Sequence, residues 1–84
     1  MRVTFKLFAT LQDYLPSEAR KTNALSLEIT ETSTVAGIIE DFNLPENLVK
    51  LVLIDGHFVP PEERAGRRLR EGETLAIWPP VAGG

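Results

Sequence analysis

Gly83 and Gly84 stand last in the sequence, behind Pro79, Pro80, Val81 and Ala82, and they are where its unusual chemistry is expected. Glycine has no Cβ, so a glycine pair passes through a slot too narrow for any other residue and adopts backbone angles closed to the rest. The carboxylate of Gly84 then becomes the one uncommon functional group. A carboxylate is a poor electrophile, and its usual activation is as an acyl-adenylate, made with ATP inside an enzyme that excludes water. Sulfide taken from a persulfide donor would convert the adenylate to a thiocarboxylate, which supplies nucleophilic sulfur in a chain without cysteine. Pro79 and Pro80 interrupt strand pairing and favour polyproline geometry at about 3.1 Å per residue. The sequence therefore predicts a folded part over residues 1–78 and a flexible, projecting tail over 79–84, with a reach of roughly 20 Å beyond Trp78.

Other chemistries find no footing. The single histidine, His57, flanks a turn, and Ser17, Ser26 and Ser33 lie in no triad pattern. No glycine-rich phosphate loop ending in Lys-Ser or Lys-Thr is present, and the adjacent pairs Glu40-Asp41 and Glu62-Glu63 point to solvent rather than converging. Convergent metal ligands are missing, so no metal site is predicted. If the chain takes part in a reaction, it does so as substrate or carrier, not as an enzyme.

Composition bounds the rest. Eighty-four residues make one domain with one core, and a formal charge of −3 spread along the chain gives no footprint for nucleic acid. Arg67, Arg68 and Arg70 form one basic knot among Glu62, Glu63, Glu71 and Glu73, either a balanced solvated loop or a docking point for an acidic partner. No segment approaches the roughly 20 apolar residues that span a bilayer, and the alternating N-terminus lacks the unbroken apolar run of a signal peptide. That N-terminus makes the expected location cytoplasmic, and the absence of cysteine fits a reducing compartment.

The elements that must position the tail follow from periodicity. Val3, Phe5 and Leu7 alternate as a first strand, and Leu25, Leu27 and Ile29 as a second, joined by a polar connection through Pro16–Asn23. Thr32, Ser33 and Thr34 offer N-cap hydroxyls to a helix whose stripe is Val35, Ile38, Ile39 and Phe42, ended by Asn43 and Pro45. Leu51–Ile54 and His57–Val59 flank Asp55-Gly56, a two-residue hairpin turn that puts Leu53 on the side of Phe58. Which side is core stays open at this point. Leu69 tucks inward, Glu71-Gly72-Glu73 turns, and Leu75 and Ile77 alternate as the last strand with Trp78 pointing the other way. Strand, strand, helix and three strands describe an α+β β-grasp, a mixed sheet of about five strands crossed by one main helix.

The stretches "FKLFATLQDYL" and "REGETLAIWPPVAGG", in this order of elements, resemble the MoaD/ThiS family of ubiquitin-like sulfur carriers, most closely the small subunit of molybdopterin synthase. The resemblance spans essentially the whole chain. It implies that an E1-like enzyme adenylates Gly84 with ATP and Mg, that a sulfurtransferase or cysteine desulfurase supplies sulfur, and that the molybdopterin synthase large subunit consumes it. It also implies that partners dock on an apolar patch of Phe8, Phe58 and Trp78 beside the tail, placing Phe58 outward. "VPPEERAGRRLR" and "DGHFV" depart from the molybdopterin pattern and leave other destinations open: thiamine, cysteine, tungsten cofactor, siderophore or transfer-RNA thiolation. Two further readings stay beside it, a modifier joined through Gly84 to lysines of target proteins and an interaction-only β-grasp module.

Overall fold

Alternation along the first strand sorts its side chains between two environments. In β1 (Arg2–Leu7), Val3, Phe5 and Leu7 are buried, whereas Thr4 and Lys6 turn to the opposite face. The computed structural model describes residues 1–81, and the expectations placed on Ala82, Gly83 and Gly84 lie outside the described residues. On one side β1 pairs antiparallel with β2 (Ala24–Glu28), where Val3 faces Leu27 and Phe5 faces Leu25. On its other side runs the final strand, parallel to it, with Phe5 opposite Leu75 and Leu7 opposite Ile77.

The remaining two strands extend this sheet. β3 (Leu51–Ile54) and the two-residue β4 (His57–Phe58) form a hairpin, and β3 pairs antiparallel with β5 (Thr74–Trp78). The order is β2-β1-β5-β3-β4, a mixed five-stranded sheet with β5 at its centre. Asp55 and Gly56 both have positive φ, 48° and 84°, the left-handed pair that matches a tight hairpin to strand twist. Glycine suits the second position because it adopts that φ without a Cβ clash.

One helix, α1 (Val35–Asp41), covers the inner face of the sheet. Thr34 caps it: Gly37 N–H donates to Thr34 Oγ1 at 3.1 Å, and a Cβ at Gly37 would come within 3.2 Å of that same oxygen. A Cβ there would press on the capping oxygen, which sets the cap contact against alanine's better helix propensity. Val35 and Ile38 are buried, and Phe42, just past the helix, packs on Phe5 with ring centroids 4.7 Å apart. Asn43 takes a left-handed φ of 55° and ends the helix before Pro45.

The connection from β1 to β2 carries more structure than its polarity predicts. Residues Ala9–Tyr14 and Ser17–Ala19 form 3₁₀ turns that bury Leu11, Leu15 and Ala19. Arg20 ties the segment down, donating from Nε to the Leu15 carbonyl at 3.1 Å and from its terminal nitrogen to the Asp13 carbonyl at 2.9 Å. No helix of the described residues is long and apolar enough to cross a membrane.

Candidate functional site

Cross-strand register places one set of side chains on the face of the sheet that α1 does not cover. Lys6, Ala76, Leu53 and Phe58 lie in one row across β1, β5, β3 and β4, because Lys6 faces Ala76, Ala76 faces Leu53 and Leu53 faces Phe58. The next row toward the tail holds Trp78 and Leu51, which face each other across β5 and β3. Phe8 extends this row, since its extended backbone continues the alternation of β1 and its N–H donates to the Ile77 carbonyl at 3.2 Å. Farther from the tail the same face turns polar, with Thr4 opposite both Ser26 and Thr74. The outer face is thus apolar only where the chain leaves the sheet.

Phe8 and Trp78 are stacked, with ring centroids 4.2 Å apart and planes within 3° of parallel. Each covers one side of the other, so both rings are half-buried rather than fully exposed. Phe58 differs: it is 56% exposed at the edge of the sheet and is separated from the stacked pair by β3. Leu51, itself 38% exposed, and Leu53 lie on the intervening strand. The strand pattern left the direction of these two leucines open, and only the resemblance, by placing Phe58 outward, implied it for Leu53. All four residues of Leu51–Ile54 are apolar, which silences the alternation signal, and only the hairpin register joined Leu53 to Phe58.

The tail is rooted beside the aromatic pair. Lys50 N–H donates to the Trp78 carbonyl at 3.0 Å, holding the last residue of β5 in the sheet. Pro79 and Pro80 have no N–H with which to continue the ladder. Beyond β5, Pro79 is half-buried and Pro80 and Val81 are exposed, Val81 at 78%. Lys6 is the one cationic side chain of the two apolar rows and has no ion-pair partner among the described residues.

Elsewhere the ionisable groups serve structure. His57 is exposed on β4 and Glu40, Asp41, Glu62 and Glu63 are exposed, and among the described residues no group of three or more metal-ligating side chains comes together. Arg64 lies half-buried in a cleft with Ile39, Leu44 and Val49 and donates to the Val59 carbonyl at 3.1 Å. Burial pushes its guanidinium below the usual arginine range, against the pull of neighbouring Glu62. In the basic knot, Arg67 pairs with Glu73 at 2.9 Å and also donates to the Arg68 carbonyl.

The family model for the Mut7-C ubiquitin domain matches residues 1–83. No curated protein matches the sequence at a significant level. Among solved structures, the Haloferax volcanii HVO 2177 protein superposes with a TM-score of 0.76 at 21% identity, over 100% of this chain and 87% of that one. A putative molybdopterin converting factor subunit 1 from Pyrococcus furiosus gives 0.69 at 18% identity, over 96% and 99%. SAMP1 from Haloferax volcanii gives 0.65 at 22% identity, with both chains covered completely. These likenesses establish a shared ubiquitin-like β-grasp fold, as the sequence predicts.

Proposed function

Given that the chain belongs to the Mut7-C ubiquitin family, we propose that it works as a sulfur carrier whose reactive group is the carboxylate of Gly84. On an E1-like adenylating enzyme, a carboxylate oxygen attacks the α-phosphorus of ATP held with Mg, and pyrophosphate leaves. The terminal sulfur of a persulfide on a sulfurtransferase or cysteine desulfurase attacks the acyl carbon, and AMP departs. A second thiol then cleaves the sulfur–sulfur bond, taking up the donor's sulfur in a disulfide and leaving the thiocarboxylate on Gly84. The chain contributes a co-substrate and a docking surface, and the catalytic groups belong to its partners. The reading further takes the chain as a molybdopterin synthase small subunit, with the large subunit consuming the sulfur. The fold it shares with molybdopterin converting factor subunit 1 supports this destination.

The observation that carries the proposal is the stacked Phe8–Trp78 pair at the root of the tail, on an apolar sheet face that no helix of the described residues covers. Large apolar clusters open to solvent mark interfaces on soluble proteins. This one lies where a partner gripping it would receive residues 79–84 directly. The aromatic pair, Leu51, Leu53 and Phe58 are therefore assigned to docking, and Pro79–Gly84 to delivery of the carboxylate.

A second reading, attachment through Gly84 to lysines of target proteins, takes its support from the likeness to a small archaeal modifier protein. ATP–pyrophosphate exchange with the host's E1-like enzyme tests the step common to both. Exchange is expected with the natural Gly84 terminus and is expected to vanish when one residue is added after it. Persistence in the extended protein overturns the Gly84 assignment. Intact mass from cells separates the two readings: one oxygen-to-sulfur exchange on the free chain supports the carrier, and lysine-linked adducts support the modifier.

A further inference from the structure

At the end of the sheet opposite the tail, Gly66, Arg67, Arg68, Leu69 and Arg70 line an open cleft of about 480 Å³ together with Met1 and Glu31. The loop that forms it is fastened firmly. Val35 N–H donates to the Arg67 carbonyl at 2.9 Å, Leu69 N–H to the Ser33 carbonyl at 3.2 Å, and Arg68 bridges to Thr34. Leu69 is 1% exposed and fills the core. In an extended segment alternate residues share a side, so burying Leu69 turns both Arg68 and Arg70 outward, with Cα atoms roughly 6.6 Å apart.

The arginines of this chain divide sharply by what they hold. Of the six in the sequence, Arg2 pairs with Glu28, Arg20 and Arg64 donate to backbone carbonyls, and Arg67 pairs with Glu73. The guanidiniums of Arg68 and Arg70 alone have no hydrogen-bond or ion-pair partner among the described residues, and both are exposed. Glu28, Glu71 and Glu73 are already engaged, and Glu31, exposed in the same cleft, bonds neither arginine. Glu73 accepts from Arg67 with one oxygen and from the Arg70 backbone N–H with the other, at 2.7 Å. Glu28 accepts from the N-terminal amine and from Arg2, and Glu71 accepts from the Arg2 backbone N–H at 3.0 Å. The local acids fix the loop and leave two guanidinium forks unanswered.

We propose that Arg68 and Arg70 form a second docking site, which takes an extended acidic segment of a partner protein through carboxylates on alternate residues. Those carboxylates recur at the same spacing as the two arginines, and each guanidinium accommodates one in a paired, two-bond geometry. Glu31 also lines the cleft, so the site is dipolar rather than uniformly basic. In a chain of net charge −3, this suits a segment bearing a few carboxylates and disfavours a continuous nucleic-acid backbone. The site precedes the Thr74 end of β5, and the four residue steps from Thr74 to Trp78 put roughly 13 Å of strand between that end and the root of the tail. A partner held there leaves the aromatic pair and Pro79–Val81 accessible to another protein.

The test is a titration of the full chain with a blocked peptide of alternating Glu and Gly, followed by heteronuclear NMR and repeated at high salt. The expected result is saturable shifts in residues 66–70 and at Glu31 but not at Trp78, weakening with salt and absent for the Gln-Gly counterpart. The Arg68→Gln, Arg70→Gln double variant is expected to lose affinity roughly tenfold, equivalent to about 1.4 kcal/mol and near the upper end for two exposed ion pairs. Both side chains are exposed, so thermal midpoints of the single and double variants should match the parent and confirm that the fold is intact. Absence of saturable shifts, equal binding of the Gln peptide, or unchanged affinity in the folded double variant overturns the site. Tighter binding of a single-stranded oligonucleotide at the same loop overturns the choice of partner. No readout involves activation of Gly84, so the result is independent of the carrier reading.

Discussion

The two faces of the sheet are built from the same strands, yet they serve opposite ends. On the inner face Phe5, Leu7, Leu75 and Ile77 are completely buried beneath α1 and the loops around it. On the outer face Phe8, Trp78, Leu51, Leu53 and Phe58 are large and apolar, but no element of the described chain covers them. Hydrophobic burial drives folding in proportion to the area removed from water, and the inner face supplies most of that area. Apolar side chains on the uncovered face add little to folding while exposing surface to a partner. β5 makes the contrast within one strand: Leu75 and Ile77 belong to stability, and Trp78 to the proposed docking.

The comparison is easiest to break from the inside. Leu75→Ala removes a fully buried side chain flanked by Phe5 and Ile54, and should cost about 3 kcal/mol in urea unfolding, within the usual range for such truncations. Affinity of the remaining folded protein for the adenylating enzyme should not change. Trp78→Ala should do the reverse, weakening docking about thirtyfold, or roughly 2 kcal/mol, as a central aromatic anchor does. Its folding cost is nevertheless not zero, because the stacked partner Phe8 loses an aromatic contact of about 1 kcal/mol. A Trp78→Ala variant that unfolds as readily as Leu75→Ala, and docks normally, would move the ring from the docking surface to the core. Thr34→Ala is the control: losing the cap on Gly37 N–H should lower stability by about 1 kcal/mol and leave docking untouched.

Much of this architecture was written in periodicity. Val3, Phe5 and Leu7 announced β1, the stripe from Val35 to Phe42 announced α1, and Asp55-Gly56 announced the β3–β4 hairpin. The sequence signal failed where one residue type serves different ends. Leu51–Ile54 is apolar throughout, so its own pattern does not mark Leu51 and Leu53 as outward, and it is pairing with β4 and β5 that fixes their face. Leu11 and Leu15 lie in a segment whose neighbours are polar, and their burial comes from 3₁₀ turns too short to display a helical stripe. Arg67, Arg68 and Arg70 read as one knot, but only Arg67 reaches Glu73, because Leu69 anchors the loop and directs its neighbours outward. Phe8 and Trp78 were legible through their phase, and Phe58 joined them only through the family resemblance. The division of the trio into a stacked pair and a separate ring was not legible, since strand order lies outside the reach of local pattern.

That division yields the smallest and most discriminating effect. Phe58 sits on a two-residue strand at the sheet edge, faces Leu53 and is 56% exposed, so its ring has already kept much of its contact with water. Truncation to alanine should therefore alter folding by no more than about 0.5 kcal/mol, the usual bound for surface positions. At an interface centred on Phe8 and Trp78, Phe58 occupies the rim, where contacts exclude water from the anchors and contribute little themselves. Phe58→Ala should weaken docking by only about two- to threefold, near 0.5 kcal/mol. Calorimetric titration of Phe58→Ala and Trp78→Ala against the same enzyme measures the ratio directly. A loss at Phe58 equal to that at Trp78 would shift the centre of the docking surface toward the β3–β4 hairpin and away from the root of the tail.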